Sequence, residues 1–143
     1  MKQRSAPLDK YFSYAVAAAH RKLHTHLNGQ LRAFGIQVET WRILETLDQT
    51  DGLTMSGLAE IVLMNPPAMT KLVDRMVADG LVQRQIGIED QRRVTLILTD
   101  MGAELVLNVR LPASEQNDAI LAQLGPEKVQ LIHEALDILD QNL

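Results

Sequence analysis

The spacing of apolar positions changes several times along the chain, and each change marks an element. Residues 8–31 are rich in Ala and Leu, with no stop signal before Gly35, and predict a long helix. In residues 38–49, VETWRILETLDQ, Val38, Trp41, Leu44 and Leu47 recur every three residues with Ile43 beside them, which predicts a second helix ended by the turn QTDG at 49–52. Thr54 stands where a cap for a short helix over 55–63 would stand, although Gly57 occupies the position at which a capping box carries Glu or Gln. Asn65 precedes Pro66-Pro67. A residue before proline is pushed out of the α region, and proline is tolerated in a first helical turn, so Asn65 is the predicted cap of a helix running from Pro66 to about Asp79, with Gly80 as its terminator.

After Gly80 the period becomes two. Residues 81–86, LVQRQI, read as a strand and 87–91 as a polar turn. In 93–99, RVTLILT, residues alternate, with Val94, Leu96 and Leu98 on one face. The expectation is a two-stranded hairpin, which must pack on the helices before it to be stable. Thr99 can cap a helix over 100–123, with Asp100 at its positive end and a bend near Pro112. Gly125-Pro126 restarts a last helix. Its Val129, Ile132, Leu136, Leu139 and Leu143 step by 3, 4, 3 and 4, a narrow stripe suited to another helix.

Composition narrows the class. A chain of 143 residues, 46% hydrophobic and 22% charged, predicts one compact domain over 1–143. No apolar run approaches the roughly 20 residues of a membrane span. The AVAAA run near the basic N-terminus is shorter than the roughly 7–15 residues of a signal sequence, and Asp9 interrupts the approach to it, so a cytoplasmic location is expected. Without Cys there is no disulfide frame, thiolate nucleophile, thiol sensor or Cys-bound zinc. Aromatic residues at 3% disfavour base stacking on single strands. No P-loop, nucleophile elbow, dinucleotide fingerprint or HExxH motif occurs, so neither an enzyme nor a cofactor is expected.

The net charge of −4 hides a gradient. Residues 1–50 carry seven Lys/Arg against four Asp/Glu, 65–93 carry five against four, and 100–143 carry two against eight. The C-terminal segment is therefore acidic, while a small basic cluster (Lys71, Arg75, Arg84, Arg92, Arg93) remains in the middle.

Two short helices with a tight turn, followed by a hairpin, make a winged helix-turn-helix, whose second helix enters the DNA major groove. On a wheel of residues 66–79, Met69, Leu72, Val73 and Met76 face a core. Pro67, Thr70, Lys71 and Asp74 fall opposite, with Arg75 flanking. Thr70 offers a donor and acceptor and Lys71 a cation, the chemistry that meets base edges and phosphates.

Residues 53–84, LTMSGLAEIVLMNPPAMTKLVDRMVADGLVQR, resemble the helix-turn-helix of the MarR family of bacterial transcriptional regulators without a gap. Residues 90–102, DQRRVTLILTDMG, resemble its wing, with Asp-x-Arg, then Leu98-Thr99, then Gly102. GIQVETWRIL (35–44) and LGPEKVQLIHEAL (124–136) extend the resemblance to about residues 8–141. It implies a mostly α fold with an α+β wing: a winged core over about 36–99 between dimerisation helices at about 8–31 and 100–143. It also implies a homodimer on a pseudo-palindromic double-stranded DNA operator, released by a small ligand, often aromatic.

Carried over, the resemblance makes Arg92 the wing-tip arginine that enters the minor groove and Asp90 the carboxylate that orients it. A narrow groove attracts a guanidinium, and a neighbouring carboxylate can fix its planar fork. The expected DNA-facing set is Thr54, Ser56, Asn65, Pro67, Thr70, Lys71, Arg75, Asp90, Arg92 and Arg93. Pro66 and Pro67 depart from the polar residues often found early in the recognition helix, and Ile61 and Met64 are more apolar than a DNA face requires. Tyr14, His20 and Trp41 are the candidate lining of an effector pocket. Two other readings stand beside this one. One is a winged-helix protein-interaction module without base readout, suggested by the proline pair and the net charge. The other is a metal-responsive regulator, suggested by His20 and His24 at i, i+4, though no full ligand set is apparent.

Overall fold

In a computed structural model, which describes residues 7–143, the first helix, α1 (Phe12–Leu31), begins four residues later than its composition suggests. The Tyr11 N–H donates to the Leu8 carbonyl at 2.9 Å, and Tyr11 itself is extended, so Leu8–Tyr11 form a turn outside the helix. A 3₁₀ turn, Arg32–Phe34, and left-handed Gly35 lead into α2 (Val38–Gln49) at its expected bounds.

Leu53–Thr54 then form a strand, β1, too short to show in the pattern of apolar positions. The caps that follow are local chemistry. Thr54 Oγ1 accepts the Gly57 N–H at 3.2 Å and opens α3 (Met55–Val62). Asn65 Oδ1 accepts the Ala68 N–H at 3.0 Å and opens α4 (Pro66–Ala78). Between them Leu63 closes α3 in the left-handed region at φ 63°, a conformation L-residues rarely adopt, with its side chain exposed.

Strands β2 (Val82–Ile86) and β3 (Val94–Leu98) pair antiparallel in the register Val82 to Leu98, Arg84 to Leu96 and Ile86 to Val94. The expected two-stranded hairpin is in fact a three-stranded sheet of order β1-β3-β2, because Leu53 also pairs with Leu96 and Thr54 with Thr95. A third partner anchors the wing to the helix-turn-helix, which an isolated hairpin would lack.

Thr99 joins the wing to α5 (Asp100–Leu124), which continues through Pro112. Its hydroxyl accepts the Gly102 N–H at 3.0 Å and donates to the Gly80 carbonyl at 2.5 Å. A Cβ at Gly102 would lie 2.1 Å from the Leu81 carbonyl oxygen, so only glycine lets α5 approach the backbone leading into β2 this closely. The last helix is α6 (Pro126–Asn142). No helix among the described residues is long and apolar enough to cross a membrane.

The main core joins Ile43, Leu44 and Leu47 of α2, Leu58 and Val62 of α3, Met69, Val73 and Met76 of α4, Val82 and Leu96 of the sheet, and Val106 of α5. A smaller cluster of Leu31, Val38 and Val109, with Leu27, Phe34, Trp41 and Leu105 against it, joins α1 to α2 and α5. By contrast α6 has no buried residue, and Leu31 is the one buried residue of α1.

Candidate nucleic-acid interface

The core side of α4 fixes what its other side presents. With Met69, Val73 and Met76 buried, Pro67, Thr70, Lys71, Asp74 and Arg75 are all exposed. The Thr70 hydroxyl donates to the Pro66 carbonyl at 3.0 Å, so it offers a base edge only acceptor lone pairs, not the donor expected of it. Asn65 likewise uses Oδ1 on the Ala68 N–H, which leaves its amide Nδ2 as the group free to reach a phosphate. Thr54 and Ser56 sit at the start of α3, their hydroxyls 3.5 Å apart. None of the ion pairs found among the described residues involves Lys71, Arg75, Arg92 or Arg93. These four cations keep their charge available for a polyanion.

The wing turn carries Arg92 and Arg93 at an exposed tip. It is closed by backbone hydrogen bonds, Gly87 N–H to Arg93 O at 2.9 Å and Arg93 N–H to Asp90 O at 3.0 Å. A Cβ at Gly87 would meet the Asp90 carbonyl at 2.6 Å, so this turn also needs glycine for close approach. Asp90 acts differently from the expectation. Its Oδ1 accepts the backbone N–H of Arg92 at 3.0 Å, so the carboxylate shapes the turn that aims Arg92 and does not clamp the guanidinium. The geometry explains why: a carboxylate two residues earlier closes an Asx turn on the backbone. Arg84, a basic residue given no role at first, pairs with Asp74 and so ties β2 to the exposed side of α4. It holds the wing in register with the helix that carries Lys71.

Beside α4 lies an open cleft of about 730 Å³ between α1, α2 and the helix-turn-helix. His20, His24, Asn28, Glu39 and Arg42 line one wall, and Leu63, Met64, Ala68, Lys71 and Arg75 the other. Lys71 and Arg75 therefore belong both to the exposed helix face and to the mouth of the cleft. Within it, His24 Nε2 lies 2.5 Å from Glu39 Oε1, and Asn28 Nδ2 lies 3.2 Å from His24 Nδ1. Partial burial alone would raise the Glu39 carboxyl; the His24 ring, the backbone amide of Glu39 and Arg42 outweigh it and hold the carboxyl below its ordinary value. Among the described residues no three His, Asp or Glu side chains converge as a metal site would require, and both ring nitrogens of His24 have other partners.

The three expected effector residues do not share one cavity. His20 lines the cleft. Tyr14 lies on a shallow groove along α1 with Ala17, Ala18, Arg21 and Lys22. Trp41 packs in the small cluster between α1 and α5, and its Nε1–H is buried with no hydrogen-bond partner among the described residues. A buried indole N–H without an acceptor is costly and points to a group that would complete it. On the far side of α2, Arg110 of α5 pairs with Glu45 at 3.1 Å and with Asp48, a second tie between the winged core and the outer helices that the sequence reading did not find. No local pattern marks it, since the partners are more than 60 residues apart.

Comparison with known proteins agrees with this architecture. The sequence model described as MarR family matches residues 36–94. The transcriptional regulator FarR of Neisseria gonorrhoeae is 33% identical over 118 residues, covering 82% of this chain and 81% of FarR. The homoprotocatechuate degradative operon repressor of Escherichia coli is 27% identical over 123 residues, covering 86% and 83%. The crystal structure of NadR in complex with 4-hydroxyphenylacetate superposes with a TM-score of 0.74 at 29% identity, covering 97% of this chain and 96% of NadR. The capped helix pair, the arginine-tipped wing and these matches establish that the chain belongs to the MarR family and is a winged helix-turn-helix, DNA-binding transcriptional regulator.

Proposed function

We propose that the protein is a homodimeric repressor that acts in the cytoplasm without catalytic activity, binds a pseudo-palindromic operator and is released by a small aromatic acid. The observation that carries the DNA contact is four exposed cations that no ion pair among the described residues involves: Lys71 and Arg75 on α4, Arg92 and Arg93 on the wing. In this reading α4 lies in the major groove with Pro67, Thr70 and Lys71 toward the bases. Thr54, Ser56 and Asn65 meet the backbone, and Arg92 enters the adjacent minor groove on the turn that Asp90 shapes. The exposed apolar stripe of α6, including Ile132 and Leu136, is the face that a second copy covers. Dimers of winged helices read half-sites about one helical turn apart.

The effector reading rests on two separate places: the cleft, whose Lys71 and Arg75 favour an anionic ligand, and the buried Trp41 Nε1–H, which would take an acceptor. NadR was solved with such an acid. A nuclease-protection experiment on the DNA flanking the protein's own gene tests the operator. Two protected half-sites on adjacent turns are expected, and no protection at low salt overturns the reading in favour of a protein-interaction module. For the effector, Trp41 fluorescence should change on adding 4-hydroxyphenylacetate while operator affinity falls in step, with a coupling of about 1–3 kcal/mol by linkage. A fluorescence change with no loss of operator affinity would show binding without regulation.

A further inference from the structure

We infer that His24 is a positioning residue that seats the winged core on α1 only as a neutral ring protonated at Nε2, so that a second ring proton loosens this seat. The consequence for DNA rests on the operator reading above; the tautomer does not.

The hydrogen-bond inventory leaves one solution. The backbone N–H of Val38, the first residue of α2, donates to Asn28 Oδ1 at 2.8 Å. A backbone N–H cannot accept, so the Asn28 amide is oriented, with Nδ2 as the donor facing His24. Nδ2 lies 3.2 Å from His24 Nδ1, which must then present a lone pair. The ring proton is on Nε2, 2.5 Å from Glu39 Oε1. Glu39, His24, Asn28 and the Val38 N–H thus form a chain in which each donor meets one acceptor, and it joins α1 to the first turn of α2.

A second proton breaks that order. Nδ1–H would face the Asn28 NH₂, donor against donor. Flipping the amide only moves the conflict to the Val38 N–H. The start of α2 has little room to retreat, because the Val38 side chain is fully buried against Leu31 and Val109. Every charged or titratable group facing His24 bears on this step. His20 on α1 has its ring centroid 5.6 Å away. Glu39 and Arg42 of α2, and Lys71 and Arg75 of α4, line the same cleft. The doubly protonated ring keeps Glu39 and loses Asn28. The contact that fails is the polar one between α1 and the first turn of α2, the helix against which α3 packs.

The test uses the full chain. Long-range ¹H–¹⁵N spectra at about pH 8, above the ordinary imidazole range, should show Nε2 protonated and Nδ1 bare. The Val38 amide resonance should shift as His24 titrates. Operator affinity should fall roughly fivefold to tenfold between about pH 8 and about pH 5.5, the worth of one partly buried hydrogen bond. In His24→Gln the side-chain amide donates to Glu39 and its oxygen accepts from Asn28, with no proton to gain. This variant should bind as wild type does at the higher pH and lose most of the pH dependence. In Asn28→Asp the carboxylate accepts from both Val38 N–H and Nδ1–H, so the seat should survive acid. A proton on Nδ1 at about pH 8, a Val38 amide indifferent to the titration, or an undiminished pH dependence in His24→Gln overturns the inference. Failure of wild type to bind duplex DNA at either pH defeats the operator reading instead, and the ring and Val38 resonances still decide the role of His24.

Discussion

Between Val38 and Val106 the apolar side chains of four helices and a sheet meet one another inside one chain, and Ile43, Leu58, Met69, Val73 and Leu96 are fully or almost fully buried. Along α6 the apolar residues have the same helical spacing, yet Ile132 and Leu136 remain nearly half exposed and Leu131 and Ile138 more so. Periodicity alone does not distinguish these regions. What differs is whether the chain supplies the second surface. The centre is complete by itself, so its positions are fixed by capping and packing within the chain. The ends carry a face that only another copy completes, and in this account that copy sets the distance between two DNA-reading centres.

The contrast can be broken most severely at the centre. Gly102→Ala drives a Cβ into the Leu81 carbonyl, a contact no rotamer relieves, and should lower unfolding stability by about 3 kcal/mol or prevent folding. Thermal melting of the purified variant checks this; an unchanged melting temperature would mean that α5 does not rest on the Leu81 backbone as described. At the ends, Leu136→Glu puts a charge into the proposed interface, where an uncompensated buried charge costs several kcal/mol. Light scattering at micromolar concentration should then give half the mass of wild type, with the helical signature of the winged centre retained. A wild-type protein that is already monomeric would remove the basis of the contrast. A smaller effect is expected of Thr99→Ala. It deletes the cap of α5 and the hydroxyl bond to the Gly80 carbonyl, so about 1–2 kcal/mol of stability should be lost without dissociation of the dimer.

The centre was also the more legible region. Thr54, Asn65 and Thr99 announce their helices because a cap accepts an N–H three residues ahead, an interaction contained in the local sequence. Gly102 was noticed through resemblance, but its reason, contact with the Leu81 carbonyl, is tertiary. Strand β1 escaped because two residues are too few to show alternation. Asp90 meets the Arg92 amide: its neighbour Arg92 offers both an amide and a guanidinium, and sequence does not say which lies nearer. His24 attracted attention through its spacing from His20, whereas its partner Glu39 lies 15 residues away across a helix crossing. The same crossing decides that Tyr14, His20 and Trp41 line three different places.

The central claim is that exposed cations on a self-sufficient winged centre read DNA, and Arg92 tests it most directly. Fluorescence anisotropy of a labelled operator should be titrated with wild type and Arg92→Ala at two salt concentrations, with melting temperature and mass measured on the same samples. Wild-type affinity should fall steeply with salt, as phosphate neutralisation releases counterions. Arg92→Ala should bind about five- to hundredfold more weakly and lose preference for A·T-rich flanks, with melting temperature and dimer mass unchanged. Asp90→Ala should follow in the same direction by less, because it relaxes the turn and leaves the charge in place. Equal affinity of Arg92→Ala and wild type at both salt concentrations would contradict the account.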